Sequence, residues 1–109
     1  MAETNKVLAQ TNPSAATLTD SYTVPGATSA VVSSIVVCNR SATATAFRIS
    51  FAVAGAANDN KQYTHYDVAI PGNDTYIATI GATLAATDVV RVYATLATLS
   101  FTIFGVEST

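Results

Sequence analysis

The sequence has 109 residues and a formal net charge of -2, and only 11% of its residues are charged, against roughly 25% in a typical soluble domain. This length allows one domain, and the five basic residues stand singly, which excludes the basic cluster that nucleic-acid binding requires. One cysteine and one histidine exclude an internal disulfide and a zinc site of the Cys/His kind, and no segment approaches the roughly 18 apolar residues of a membrane span.

Residues 1–14 are predicted as an N-terminal arm that precedes a β domain over residues 15–109. The arm carries a short apolar run, Val7 and Leu8 with the following alanine, before a Pro-containing break. Two hypotheses stay open, a frayed terminus or an edge strand that pairs with a neighbouring subunit. Val7 and Leu8 are therefore candidate partner contacts.

Runs of β-branched and aromatic residues, broken at regular intervals by turn residues, follow this arm. They predict about seven or eight strands and no long helix. The predicted strands cover residues 16–24, 29–38, 46–53, 63–70, 75–80, 88–95 and 99–106. Residues 81–87 are predicted as irregular. The pattern favours an all-β, single-domain antiparallel β-sandwich of the Ig-like or jelly-roll kind, with a closed barrel as the alternative.

Several of these segments carry more detailed predictions. Pro25-Gly26 suits a turn with a positive φ at Gly26. The nearly continuous apolar run over 29–38 predicts burial on both faces, against the core and against a partner or loop, with Cys38 as a small buried residue. The segment 75–80 is a hairpin candidate that pairs back onto 63–70.

Alternation is clearest in the strand over 46–53. Period two places four apolar side chains on one face and three small or basic side chains on the other. The predicted core face carries Phe47, Ile49, Phe51 and Val53, and the opposite face carries Arg48, Ser50 and Ala52.

Residues that carry chemistry are few. In the strand over 63–70, period two places Tyr63, His65 and Asp67 on one face, which is either a hydrogen-bonded cluster or an ordinary polar strand face. No pair of carboxylates, calcium loop or phosphate-binding glycine motif accompanies them. We expect no enzyme activity, no metal and no cofactor, and we take these three residues as further candidate partner contacts.

Six pieces of the chain carry a resemblance to a known family. They are Tyr22-Thr23-Val24-Pro25-Gly26, the run from Ala30 to Ser41, Phe47-Arg48-Ile49, Gly72-Asn73-Asp74-Thr75, the run from Leu84 to Val92, and Phe104-Gly105-Val106-Glu107. Together they resemble a small all-β protein family of tailed-bacteriophage virions. The first turn departs from that family, which tends to show Pro-Ala-Gly where this chain has Pro25-Gly26-Ala27.

The resemblance implies a structural protein of the virion, similar to capsid decoration proteins or to small neck and tail accessory subunits. Our leading hypothesis is a capsid decoration or cement subunit that is made in the host cytoplasm and stabilises the head, and the alternatives are a neck, tail or baseplate accessory subunit or a glycan-binding module for host attachment. The expected partners are the major capsid protein or neck and tail proteins, with further copies of the chain in a homo-oligomer and neither nucleic acid nor membrane. The low charge independently favours a surface covered by partners.

Overall fold

The structure, a computed structural model, describes residues 2–109 and consists of eight strands with two short 3-10 turns. Met1, the first residue of the predicted arm, lies outside the described residues. The 3-10 turns, Val53–Gly55 and Asn60–Gln62, lie in the loop between the fourth and fifth strands. The strands are β1 (Glu3–Thr11), β2 (Thr19–Thr23), β3 (Ser29–Asn39), β4 (Thr45–Ala52), β5 (Tyr63–Ile70), β6 (Thr75–Leu84), β7 (Val89–Ala94) and β8 (Leu99–Ser108).

The strands form two antiparallel four-stranded sheets that pack face to face. The first sheet has the order β1-β8-β3-β6 and the second has the order β2-β7-β4-β5. Every connection crosses to the other sheet except the one from β4 to β5. An Ig-like sandwich instead keeps its first two strands in one sheet. The all-β sandwich is confirmed, and its strand order is that of an eight-stranded jelly roll.

The core lies between the sheets and is filled from alternate positions of their strands. Phe47 of β4 and Phe101 of β8 are fully buried, with ring centroids 6.1 Å apart. Phe47, Ile49 and Phe51 face the core as predicted. Val53 does not, because β4 ends at Ala52 and Val53 begins a 3-10 turn in which its side chain is 74% exposed.

The predicted hairpin between 63–70 and 75–80 is wrong. β6 pairs with β3 of the first sheet, whereas β5 is an edge of the second. The loop between them is fastened to the β3–β4 turn, since the Asn39 N–H donates to the Asp74 carbonyl and the Asn73 N–H donates to the Ser41 carbonyl. These hydrogen bonds hold the β5–β6 loop in the position from which the chain enters the first sheet.

β6 is longer than predicted and includes residues 81–84, which were expected to be irregular. Opposite the step from Val32 to Ser34, β6 holds one residue more than β3. Gly81 lies in this bulge with a φ of 56°, a conformation that glycine adopts without strain. The extra residue is accommodated in this bulge, so β6 stays paired with β3 as far as Leu84.

The turn before β3 also differs from its prediction. The left-handed residue is Ala27, with a φ of 56°, and Gly26 is not among the residues with positive φ. A non-glycine residue in this region costs roughly 1–2 kcal/mol.

Replacing Ala27 by glycine is expected to raise the free energy of unfolding by about 0.5–1 kcal/mol, because the exposed methyl group is lost without cost and the left-handed strain is relieved. Urea unfolding measures this change. Ala57→Gly, an exposed loop position without a positive φ, is the matched control and is expected to lower the free energy of unfolding by about 0.4–1 kcal/mol. Destabilisation by Ala27→Gly would contradict the assigned turn.

A polar contact joins the two sheets at one end of the sandwich. The Tyr22 hydroxyl of β2 donates to Glu107 Oε2 of β8 at 2.6 Å, and Lys6 Nζ lies 3.2 Å from Glu107 Oε1. The bond from Tyr22, followed by that from Lys6, holds the pKa of Glu107 below its usual value. Burial and the bond to Glu107 raise the pKa of Tyr22.

Tyr22→Phe is therefore expected to lower the free energy of unfolding by about 1.5 kcal/mol at neutral pH, because a hydrogen bond to a charged group is lost. The lowered pKa means that this stabilisation is present above 4.5, the ordinary value for the unfolded carboxyl, and fades as pH falls through the folded value below it. Urea unfolding at pH 7 and pH 3 should show the difference shrink. Tyr93→Phe, whose hydroxyl has no hydrogen bond within residues 2–109, should show no such pH dependence.

Candidate interaction surfaces

The outer side of the first sheet carries no charged residue on its three longest strands. Inward positions of β3, such as Val32, Ile35 and Val37, are fully buried, so the alternating positions face outward. We call this outer surface the uncharged face. It comprises Val7 of β1, Val31, Ser34, Val36 and Cys38 of β3, Thr75, Ile77, Thr79 and Thr83 of β6, and Ser100, Thr102, Phe104 and Val106 of β8.

Several apolar side chains on the uncharged face are exposed to solvent. Ile77 is 63% exposed, Val7 45%, Val31 41% and Phe104 38%. They are joined by cross-strand neighbours, since Val7 lies opposite Phe104 and Ile77 opposite Val36. Exposed apolar patches of this kind mark interaction sites.

The size of the uncharged face is close to that of a standard protein interface. Four strands about 4.8 Å apart, each about ten residues long, give roughly 600 Å², and a standard interface buries about 800 Å² per partner. The outer side of β3 is open in the single chain, so the predicted burial against the core is confirmed and the burial against a partner stays a prediction. Cys38 lies half-buried on the outer side and is not a core residue as predicted.

All four edge strands of the sandwich are interrupted by a bulge. Each holds at least one extra residue relative to its neighbour: at Leu8 in β1, at Ser21 in β2, at Thr64 and within residues 65–68 in β5, and within residues 79–82 in β6. Bulges at edges hinder the addition of a further strand. Partners are therefore expected on a sheet face and not along an edge.

The predicted N-terminal arm is β1, an edge strand that pairs with β8 of the same chain. Its bulge separates the two candidate residues. Val7 faces outward on the uncharged face, whereas Leu8 packs against the core, close to Gly105. The structure thus leaves Val7 available to a partner and gives Leu8 a packing role.

The structure does not keep Tyr63, His65 and Asp67 on one face. Two residues intervene between His65 and the next inward residue, Val68, because the bulge in β5 breaks the alternation. His65 turns inward, with its ring centroid 6.3 Å from that of Phe47, and burial lowers its pKa. Asp67 turns outward and pairs with Arg48. The predicted Tyr-His-Asp face is wrong.

A cluster of aromatic and charged side chains occupies the outer side of the second sheet. The Arg48 guanidinium lies 4.1 Å from the ring centroid of Tyr66 and 4.4 Å from that of Tyr93. Asp67 binds Arg48 Nε through Oδ1 at 2.7 Å. We call these four residues the arginine–tyrosine cluster. Sequence reasoning found the outward position of Arg48 but missed Tyr93, which was detectable because it alternates with the buried Val92 and Ala94.

Tyr63 extends this cluster toward the loop before β5. Its ring is perpendicular to that of Tyr66, with centroids 5.0 Å apart and an interplanar angle of 83°. Together with Asn60 the two rings line an open groove of about 390 Å³, which we call the tyrosine groove.

The two outer faces therefore differ in chemistry. The second sheet carries the ion pairs Asp20–Arg91 and Arg48–Asp67, with N–O distances of 2.9 and 2.7 Å, whereas the uncharged face carries none. Within residues 2–109, no group of three or more His, Cys, Asp or Glu side chains is placed to hold a metal ion. In the same range, no helix has the length and apolar character to cross a membrane.

Comparison with protein-family models, curated proteins and solved structures found no match to this chain. The class of protein is therefore defined by the fold and the surfaces alone. It is a small jelly-roll sandwich with one uncharged sheet face and one face of tyrosines and ion pairs.

Proposed function

We propose that this chain is a bacteriophage virion structural protein, a capsid decoration or cement subunit that binds the head through its uncharged face. The observation that carries the proposal is this face, a sheet surface with exposed Ile77, Val7, Val31 and Phe104 and no charge on the outward positions of β3, β6 and β8. The resemblance of six pieces of the chain to a family of virion proteins supports the choice of a bacteriophage virion as the assembly that the chain joins.

The chemistry of the face suits a partner that is itself uncharged at the contact. Apolar area removed from water contributes about 25 cal/mol per Å² before the costs of association. A face of roughly 600 Å² therefore supports a modest affinity for a single copy. A head offers the same site many times, and many such contacts together resist the separation of neighbouring capsid subunits.

The opposite face suits exposure to water in this arrangement. Its charges are paired in Asp20–Arg91 and Arg48–Asp67, and the Asp20 and Asp67 side chains are 63% and 49% exposed. Burying these ion pairs against a partner would cost desolvation free energy. The contact would recover that free energy only if the buried charges were well aligned and fully hydrogen-bonded. The subunit is therefore oriented with the first sheet toward the capsid.

The copy number of the chain in purified particles tests this function. Quantitative mass spectrometry against the major capsid protein should give a ratio of about one to one or about one to three, as expected for a subunit that follows the capsid lattice. About a dozen copies per particle would instead favour the neck, tail or baseplate alternative. Absence of the chain from particles would overturn the virion proposal.

A further inference from the structure

We propose that the tyrosine groove is a binding site for a neutral saccharide. Its three lining residues, Asn60, Tyr63 and Tyr66, offer two perpendicular aromatic rings and an amide in a space of about 390 Å³. Ligand sites commonly have volumes of roughly 300–1,000 Å³. This inference does not depend on the virion proposal, because the groove lies on the other sheet.

The ring of Tyr66 is held in place before any ligand arrives. Arg48 lies 4.1 Å from its centroid and is itself fixed by Asp67, while the Tyr66 side chain remains 56% exposed. Asp67 has a φ of 51°, so the bulge that turns Tyr66 outward is maintained at a cost in backbone strain. Such fixed placement lowers the entropy lost on binding.

The groove favours a ligand that is polar but carries no charge. Its lining residues are one amide and two phenols, and the Arg48 guanidinium that lies against Tyr66 is paired with Asp67. Saccharides combine C–H faces that pack on an aromatic ring with hydroxyl groups that bond to amides and phenols. The hydroxyls of Tyr63 and Tyr66 have no hydrogen bond within residues 2–109, so both are free to make such bonds.

A proline-rich peptide is the competing ligand for a tyrosine-lined groove. It binds as an extended helix that advances about 3.1 Å per residue and needs a track of aromatic contacts. Three residues gathered at one end of β5 form a single compact site instead. The geometry therefore points to a sugar unit.

An array of neutral oligosaccharides of glucose, galactose and N-acetylglucosamine, probed with the labelled full chain, tests the proposal. We expect binding to at least one of them, weakened about tenfold or more by Tyr66→Ala and by Tyr63→Ala. Tyr66→Phe should keep most of the binding, since the ring remains. Unchanged thermal unfolding of each variant shows that the loss is local.

Ile77→Asp separates this proposal from the virion function. It lies on the uncharged face and should bind saccharide like the unmodified chain, whatever happens to particle binding. The saccharide proposal is overturned if no neutral oligosaccharide binds, if Tyr66→Ala binds as well as the unmodified chain, or if a polyproline peptide binds the groove in its place.

Discussion

Gly105→Ala is expected to lower the free energy of unfolding by more than about 3 kcal/mol, the largest stability change among our predictions. Gly105 lies in β8 between β1 and β3, next to the bulge at Leu8 and the register shift in β3. A Cβ atom there would stand 2.1 Å from the Val31 carbonyl oxygen and 2.8 Å from Leu8 Cδ1. The Leu8 side chain can move aside, but the Val31 carbonyl belongs to a central strand and cannot.

Urea unfolding monitored by far-UV circular dichroism measures this effect, and Gly26→Ala is the matched control. A Cβ at Gly26 would meet no atom within 4 Å, so that variant should stay within about 0.5 kcal/mol of the unmodified chain. A loss of under about 1 kcal/mol in Gly105→Ala would contradict the close approach of β3 and β8.

Ile77→Asp is expected to reduce binding of the chain to particles about tenfold or more while leaving the fold intact. Ile77 is 63% exposed, so a carboxylate there is solvated in the free chain. In the proposed complex the same carboxylate would be buried against an uncharged surface, and an unpaired buried charge costs several kcal/mol. A difference of about 1.4 kcal/mol is already tenfold in affinity.

A competition experiment measures this effect. Particles that lack the chain are mixed with equal amounts of unmodified and variant protein, and the bound ratio is read by mass spectrometry. Val53→Asp is the matched control, because Val53 is 74% exposed but lies in a 3-10 turn outside the uncharged face. Equal losses for both variants, or no loss for Ile77→Asp, would show that the uncharged face is not the contact.

Much of the fold was predictable because local alternation reports which side chains face the core. The limits of β5 are as predicted, and the core positions Phe47 and Ile49 follow from period two. The pairing of β6 with β3 was not predictable, because it depends on bonds between the loop at Asn73 and the turn at Ser41, far apart in sequence.

The candidate surfaces were less predictable than the strands, and bulges are the reason. One extra residue in a strand exchanges its inward and outward positions, and the sequence carries no fixed marker for it. The bulge in β5 divides His65 from Asp67, and the bulge in β1 divides Val7 from Leu8. Low overall charge predicted a surface covered by partners, but only the register of β3, β6 and β8 shows which side of the sandwich lacks charged residues on these strands.

A cryo-electron microscopy reconstruction of purified particles tests the central claim most directly. We expect one jelly roll per site on the head, with the outer side of β1-β8-β3-β6 against the capsid, Ile77 and Val36 buried in the contact, and the tyrosine groove open to solvent. Attachment through the second sheet, or a head surface that carries no such density, would contradict it.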